Sequence, residues 1–107
     1  MAERPEDDFD TAVITRTERR IAKPKMWKVL LHNDHYTTRE FVVAVLVDVF
    51  HKSETDAVQV MLHVHQKGVG VAGVYTHDVA QTKIDKVHRL ARAYEYPLKL
   101  SMEPEDD

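Results

Sequence analysis

Leu31-His32-Asn33-Asp34-His35-Tyr36-Thr37-Thr38-Arg39-Glu40-Phe41-Val42 joins two kinds of hydrophobic periodicity. Ahead of it, Trp27, Val29 and Leu31 alternate with Lys28, Leu30 and His32, the two-residue period of a strand. Behind it, Phe41, Val42, Val45, Leu46, Val49 and Phe50 recur at helical spacing and form one broad apolar stripe. The residues between are short and polar, as a tight turn requires. Thr37-Thr38-Arg39-Glu40 fits a capping box, with Thr37 as N-cap and Glu40 reaching back to it. An amide, a carboxylate and two imidazoles are therefore expected at the mouth of a groove, near the positive end of a helix dipole.

Working outward from this junction, Ser53-Glu54-Thr55-Asp56 caps a second helix whose face is Ala57, Val58, Met61, Val64 and His65. Gly68 closes it in the manner of a left-handed glycine. Val69 to Tyr75 reads as a strand in which Gly70 and Gly73 permit close backbone approach. Thr76 caps a third helix, with Val79, Ala80, Ile84, Val87, Ala91 and Tyr94 facing inward. Pro97 forces Tyr96 out of helix, and Leu98, Leu100 and Met102 alternate as a last strand. The pattern predicts an α+β fold of order βααβαβ: a three-stranded antiparallel sheet with three helices packed on one face. The domain is expected over residues 25–103. Residues 1–24 carry acidic then basic side chains with few apolar positions and are expected to form a flexible tail. Residues 104–107 are expected to be an acidic fray.

At 107 residues, 43% hydrophobic and 31% charged, the chain suits one soluble domain with a modest core. No apolar run approaches the roughly 20 residues a membrane span needs, and no signal-peptide pattern opens the chain. Having no cysteine, it has no disulfide, Zn–thiolate site or thiol nucleophile, which fits a cytoplasmic protein. A net charge of −3 argues against nucleic acid as the main partner, because no surplus of cations is present to replace counterions. A monomer with no membrane or nucleic-acid partner is expected.

The chemistry-bearing residues admit two readings each. Met61 and His65 are four apart and share a helix face with Val58. His65 is then either a core-edge histidine bonded to a loop carbonyl or an imidazole at the rim of an apolar hole, accepting from a ligand. His63 points to the opposite side, so the pair cannot chelate one ion. His32 and His35 have no evident third ligand, and no metal or cofactor is expected. Asn33-Asp34-His35 either satisfies turn amides or converges on something apolar. If Val42 and Met61 face each other across the gap, with Arg39 beside them, they wall an apolar pocket with a polar rim, which is a binding-site architecture. No serine has a histidine-linked elbow. Gly68-x-Gly70-x-x-Gly73 has dinucleotide-fingerprint spacing but lies within a strand and precedes no Rossmann helix. Catalysis is not expected.

Four motifs, VLLHND-x-Y-T-x-x-EFVV, MLHVHQKGVGVAGVYT, DVAQTK and YPLKLSME, follow one another between residues 25 and 103. In this order and spacing the chain resembles the ClpS family of bacterial adaptors. Members deliver proteins with bulky hydrophobic N-terminal residues to ClpAP or a related AAA+ protease, the bacterial N-end rule. The resemblance implies that Asn33, Asp34, His35 and His65 hold the substrate's α-amino group. It implies that the first side chain (Phe, Tyr, Trp or Leu) enters a pocket of Val42, Met61 and Leu98, with Thr37 at its mouth. Asp78 and Lys83 would dock on the N-terminal domain of a ClpA-type unfoldase, and the tail of residues 1–24 would be offered to its pore. Two departures stand out. The second Asp of the family's pair is His35, and the family's Pro-Met, whose methionine gates the pocket, is Thr38-Arg39. They mark a divergent copy with altered specificity, in which Arg39 would favour aromatic first residues. A guanidinium over a ring contributes roughly 0.5–2 kcal/mol that a leucine side chain cannot provide. The alternative is a domain that docks on the unfoldase through its third helix without reading N-termini.

Overall fold

The structure is a computed structural model that describes residues 24–106, so the expected tail, apart from Pro24, lies outside the described residues, as does Asp107. Strand β1 (Met26–His32) lies at the centre of the sheet, paired antiparallel with β2 (Val69–Thr76) on one side and β3 (Lys99–Pro104) on the other. Helices α1 (Arg39–Asp48), α2 (Glu54–Lys67) and α3 (His77–Ala93) complete the βααβαβ order that the periodicity predicts. His32 sits opposite both Val69 and Lys99, so the polar junction after β1 emerges at one end of the sheet, flanked by both neighbours.

The alternation in β1 is what anchors this arrangement. Val29 and Leu31 are buried in the core, while Lys28, Leu30 and His32 are half-buried on the other side of the strand. There Lys28 pairs with Glu103 at 3.5 Å and the His32 ring hydrogen-bonds the Ser101 hydroxyl at 2.7 Å. The β1–β2 register shifts between Val29 and Leu30, because Ala72 is an extra residue in β2; its side chain is fully buried. At Gly70 the sheet meets α2 closely: a Cβ there would lie 2.7 Å from Val64 Cγ2. That close approach requires glycine, as expected.

Helix starts and stops follow local chemistry, with one displacement. The N-cap of α1 is Thr38, whose hydroxyl accepts from the Phe41 amide at 3.1 Å. Thr37, the expected cap, is held by the preceding turn, where its hydroxyl donates to Asp34 Oδ2 at 2.9 Å. The helix therefore begins one residue later and Glu40 falls one position short of the capping-box site. Ser53 caps α2 by accepting from the Asp56 amide at 3.1 Å, and Gly68 closes it at φ 93°. Thr76 occupies the N-cap of α3 but makes no side-chain cap bond.

The inward face of α3 is narrower than expected. Ala80, Ile84, Val87 and Ala91 are buried, but Val79 is 44% exposed and Tyr94 64% exposed. Val79 lies about 100° around the helix from Ala80 and leaves the stripe. Tyr94 follows the last helical turn and stacks on Tyr96, ring centroids 6.2 Å apart, instead of entering the core. At the C-terminus the Glu105 amide donates to the Met26 carbonyl at 2.9 Å, so pairing with β1 continues two residues beyond the boundary expected at 103.

Candidate functional site

The site is assembled where β1 ends. The Asn33 amide donates to the Gly68 carbonyl at 2.9 Å, which ties the loop after β1 to the C-terminal end of α2. His65 lies one turn before Gly68, so this bond brings two distant parts of the sequence together at one rim. Asp34 then shapes the loop. Its Oδ1 accepts from the Tyr36 and Thr37 amides at 2.8 and 2.7 Å, and its Oδ2 accepts from the Thr37 hydroxyl. The turn-amide reading of Asp34 is thus realised, and it leaves an acceptor position on Oδ2 facing no protein donor among the described residues. Partial burial pushes the Asp34 carboxyl up, but the two amides, the Thr37 hydroxyl and the nearby His35 outweigh it. The net result lies below the ordinary value of 3.8.

This loop edges a cleft of about 400 Å³ that gathers every residue expected to hold the amine and the first side chain. Asn33, Asp34, His35, Thr37 and His65 form a polar rim. Val42, Met61 and Leu98, which are 8%, 9% and 5% exposed, form the apolar floor. Val42 arrives from the first turn of α1, Met61 from the middle of α2, and Leu98 from the residue before β3. Leu31 and Val64 also line the cleft and were not singled out from the sequence. Their place follows from register, since Leu31 directly precedes the polar run and Val64 lies one residue before His65.

Arg39 stands on the lip, and its Nη2 lies 3.3 Å from His65 Nε2. A guanidinium only donates, so Nε2 accepts and the imidazole proton sits on Nδ1. The core-edge reading of His65 gives way here, because its partner is a side chain at the mouth of the cleft. An incoming ammonium, also only a donor, would seek the same lone pair. Sequence spacing carries no signal for this contact, which spans two helices.

The two expected docking residues lie apart from the cleft. Asp78 is fully exposed in the first turn of α3, 3.6 Å from His77 Nδ1. Lys83 donates to the Val49 carbonyl at 2.7 Å and lies 5.9 and 5.2 Å from the Phe50 and Tyr75 ring centroids. It satisfies a carbonyl that the end of α1 leaves open. Burial pushes the Tyr75 hydroxyl up from its ordinary value, keeping that ring neutral beside the ammonium. Among the described residues no group of three or more His, Asp or Glu side chains could hold a metal ion, and no helix is long and apolar enough to cross a membrane.

The chain is similar to known proteins of one family. The family model described as "ATP-dependent Clp protease adaptor protein ClpS" matches residues 22–101. The ATP-dependent Clp protease adapter protein ClpS of Myxococcus xanthus is 65% identical over 101 residues, covering 92% of this chain and 94% of its own. The protein of the same name from Desulfatibacillum aliphaticivorans is 55% identical over 105 residues, covering 98% of this chain and 100% of its own. Among solved structures, Agrobacterium tumefaciens ClpS2 bound to L-phenylalaninamide matches with a TM-score of 0.74 and 42% identity, over 78% of this chain and 100% of that one. By its match to the family model and its identity to these relatives, the chain belongs to the ClpS family of ATP-dependent Clp protease adaptors, which are adaptor proteins and not enzymes.

Proposed function

We propose that this adaptor binds proteins through a free, bulky hydrophobic N-terminal residue and delivers them to a ClpA-type AAA+ unfoldase in the cytoplasm, acting as a monomer. The observation that carries the reading is convergence: one cleft combines a carboxylate, an amide and two imidazoles with an apolar floor of Val42, Met61 and Leu98. A primary ammonium with a large apolar side chain on the adjacent carbon satisfies both halves. The L-phenylalaninamide in the Agrobacterium relative is a molecule of that kind.

Asn33, Asp34, His35 and His65 hold the amine in this account. Thr37 fixes the carboxylate, and the ring or alkyl group lies over the floor. Burying one such side chain contributes about 1.5–3 kcal/mol. Charge-assisted hydrogen bonds add roughly 1.5–3 kcal/mol each before ordering costs. Partial cancellation leaves an affinity near micromolar, about −8 kcal/mol. Such a complex forms selectively and still releases its cargo.

Arg39 sets the preference among first residues. To admit the amine it must leave His65, and an aromatic ring in the pocket gives the displaced guanidinium a new surface that an aliphatic side chain lacks. Fluorescence anisotropy with peptides differing only at residue one (Phe, Tyr, Trp, Leu, Ile, Ala) tests the function and this detail together. Bulky residues are expected to bind and Ala not. Phe should exceed Leu by about 2- to 30-fold in wild type, and Arg39→Met should erase that difference. Equal affinity for Phe and Leu peptides in wild type would remove Arg39 from the role, and failure of every peptide would remove N-terminal recognition.

The docking face is proposed at Asp78 and Lys83 on α3, and residues 1–24 as the segment offered to the unfoldase pore. Asp78→Ala is expected to lower affinity for the unfoldase N-terminal domain while leaving thermal stability and peptide binding unchanged. Lys83→Met is expected to lower the melting temperature as well, because it orphans the Val49 carbonyl. If neither substitution weakens docking in a pull-down against that domain, the face lies elsewhere. A docking-only adaptor is the second reading. It is favoured by one observation, that Arg39 already occupies the His65 lone pair.

A further inference from the structure

Leu98 enters the cleft floor from a short stretch between α3 and β3, ahead of the paired register, which begins with Lys99 opposite His32. Two bonds tie this stretch back to α3, one on each side of Leu98. Two residues before it, the Tyr96 amide donates to the Ala91 carbonyl at 2.8 Å. Two residues after it, the Leu100 amide donates to Nε2 of His88 at 3.0 Å. His88 and Ala91 are three apart and share a face of α3, so Leu98 is slung between two anchors on one helix. The second anchor is a side chain, and it holds a strand whose one neighbour in the sheet is β1.

A backbone amide only donates, so His88 Nε2 accepts and the ring proton sits on Nδ1. The ring is half-buried, and Leu100 is 3% exposed opposite Leu31 of the central strand. A side chain without an acceptor at position 88 would leave the Leu100 amide unpaired where water reaches poorly. A strand paired on one side can shift to find that amide another partner, and Leu98, two residues away, would move with it.

We propose that His88 is a positioning residue of the cleft: by accepting the Leu100 amide it fixes where Leu98 stands in the floor, and so how closely the floor meets a large first side chain. The proposal rests on the reading of the cleft as the seat of that residue. His88 lines no part of the cleft and acts through Leu98. Its effect therefore falls on the side-chain half of recognition. It weighs more on an aromatic ring, which covers more of the floor, than on a shorter alkyl group. The amine half, held in that reading by Asn33, Asp34, His35 and His65, is untouched.

The tautomer of His88 in wild type, read from the nitrogen NMR shifts of its ring, is the first test. The Nδ1–H form is expected, and the Nε2–H form would overturn the proposal. The second is the affinity of L-phenylalaninamide and L-leucinamide for wild type, His88→Leu and His88→Gln, measured well below the melting temperature of each protein. Leucine removes the acceptor at similar bulk, whereas the glutamine oxygen can reach the same amide. His88→Leu should bind L-phenylalaninamide about tenfold more weakly than wild type and L-leucinamide about threefold more weakly. His88→Gln should recover most of both losses. A His88→Leu protein that melts lower but binds both amides like wild type would make His88 a purely structural residue and overturn the proposal. Equal losses for the two amides, or a His88→Gln protein as weak as His88→Leu, would overturn it as well. If His88→Leu does not fold, His88→Asn, whose oxygen falls one methylene short of glutamine's, takes its place with the same expectation. Failure of wild type to bind L-phenylalaninamide overturns the cleft reading and this proposal with it, whatever the tautomer.

Discussion

Asp34→Ala is expected to weaken binding of a Phe-initiated peptide by about 100-fold or more, the largest loss from any single change in the cleft. Two effects add. In the proposed function the carboxylate contributes a charge-assisted bond to the amine, and in the structure it holds the Tyr36 and Thr37 amides and the Thr37 hydroxyl that shape the rim. Asp34→Asn separates them: its side-chain oxygen can still accept the amides, while the charge is gone, so it should lose affinity but keep more of it than alanine. Anisotropy titrations of the three proteins give the ranking. Equal affinity of Asp34→Ala and wild type would remove the carboxylate from the site.

The same residue predicts a pH profile. Its folded pKa lies below 3.8, so its stabilisation of the loop is fully present above that unfolded value. The contribution is lost only as pH falls below 3.8 through the depressed folded value. Weakening of binding between pH 7 and 5 therefore cannot come from Asp34.

Leu31→Ala is expected to cost about 2–5 kcal/mol of fold stability. Leu31 is 1% exposed on the central strand, between Gly70 and Leu100 on the neighbouring strands. It cannot be replaced by relaxation, because β1 is clamped by hydrogen bonds on both edges. Small domains have about 5–15 kcal/mol in total, so the variant should be close to unfolding at physiological temperature. Urea denaturation should show a lower midpoint at an unchanged slope. A loss under about 1 kcal/mol would mean that the core beneath the cleft is less tightly packed than the structure describes.

What the chain discloses before folding is uneven, and the reasons are physical. Strand and helix periodicity placed Val29 and Leu31, the α1 and α2 stripes and the buried part of α3, because burial enforces those spacings. Gly68 and Ser53 were legible because each fulfils a local backbone need. The register of Thr37 and Thr38 was not, since both can cap, and the choice was made by Asp34 taking Thr37 into its own turn. Tyr94 read as inward because it continues a helical stripe, yet the helix ends just before it. The cleft residues were named as a set through their resemblance to a family, and residue spacing left Val42 facing Met61 as a condition that the fold had to meet. The Arg39–His65 contact and the Lys83–Val49 bond were invisible, because each joins side chains or carbonyls on separate elements whose relative placement no local pattern encodes.

The most direct test of the account is the affinity of wild-type protein for one Phe-initiated peptide with its amine free and with it acetylated. Acetylation removes the charge and the donors that Asn33, Asp34 and the rim imidazoles are proposed to hold, while leaving the ring available to Val42, Met61 and Leu98. The account predicts micromolar binding of the free peptide and a loss of about 100-fold or more on acetylation. Equal binding of the two forms would contradict it.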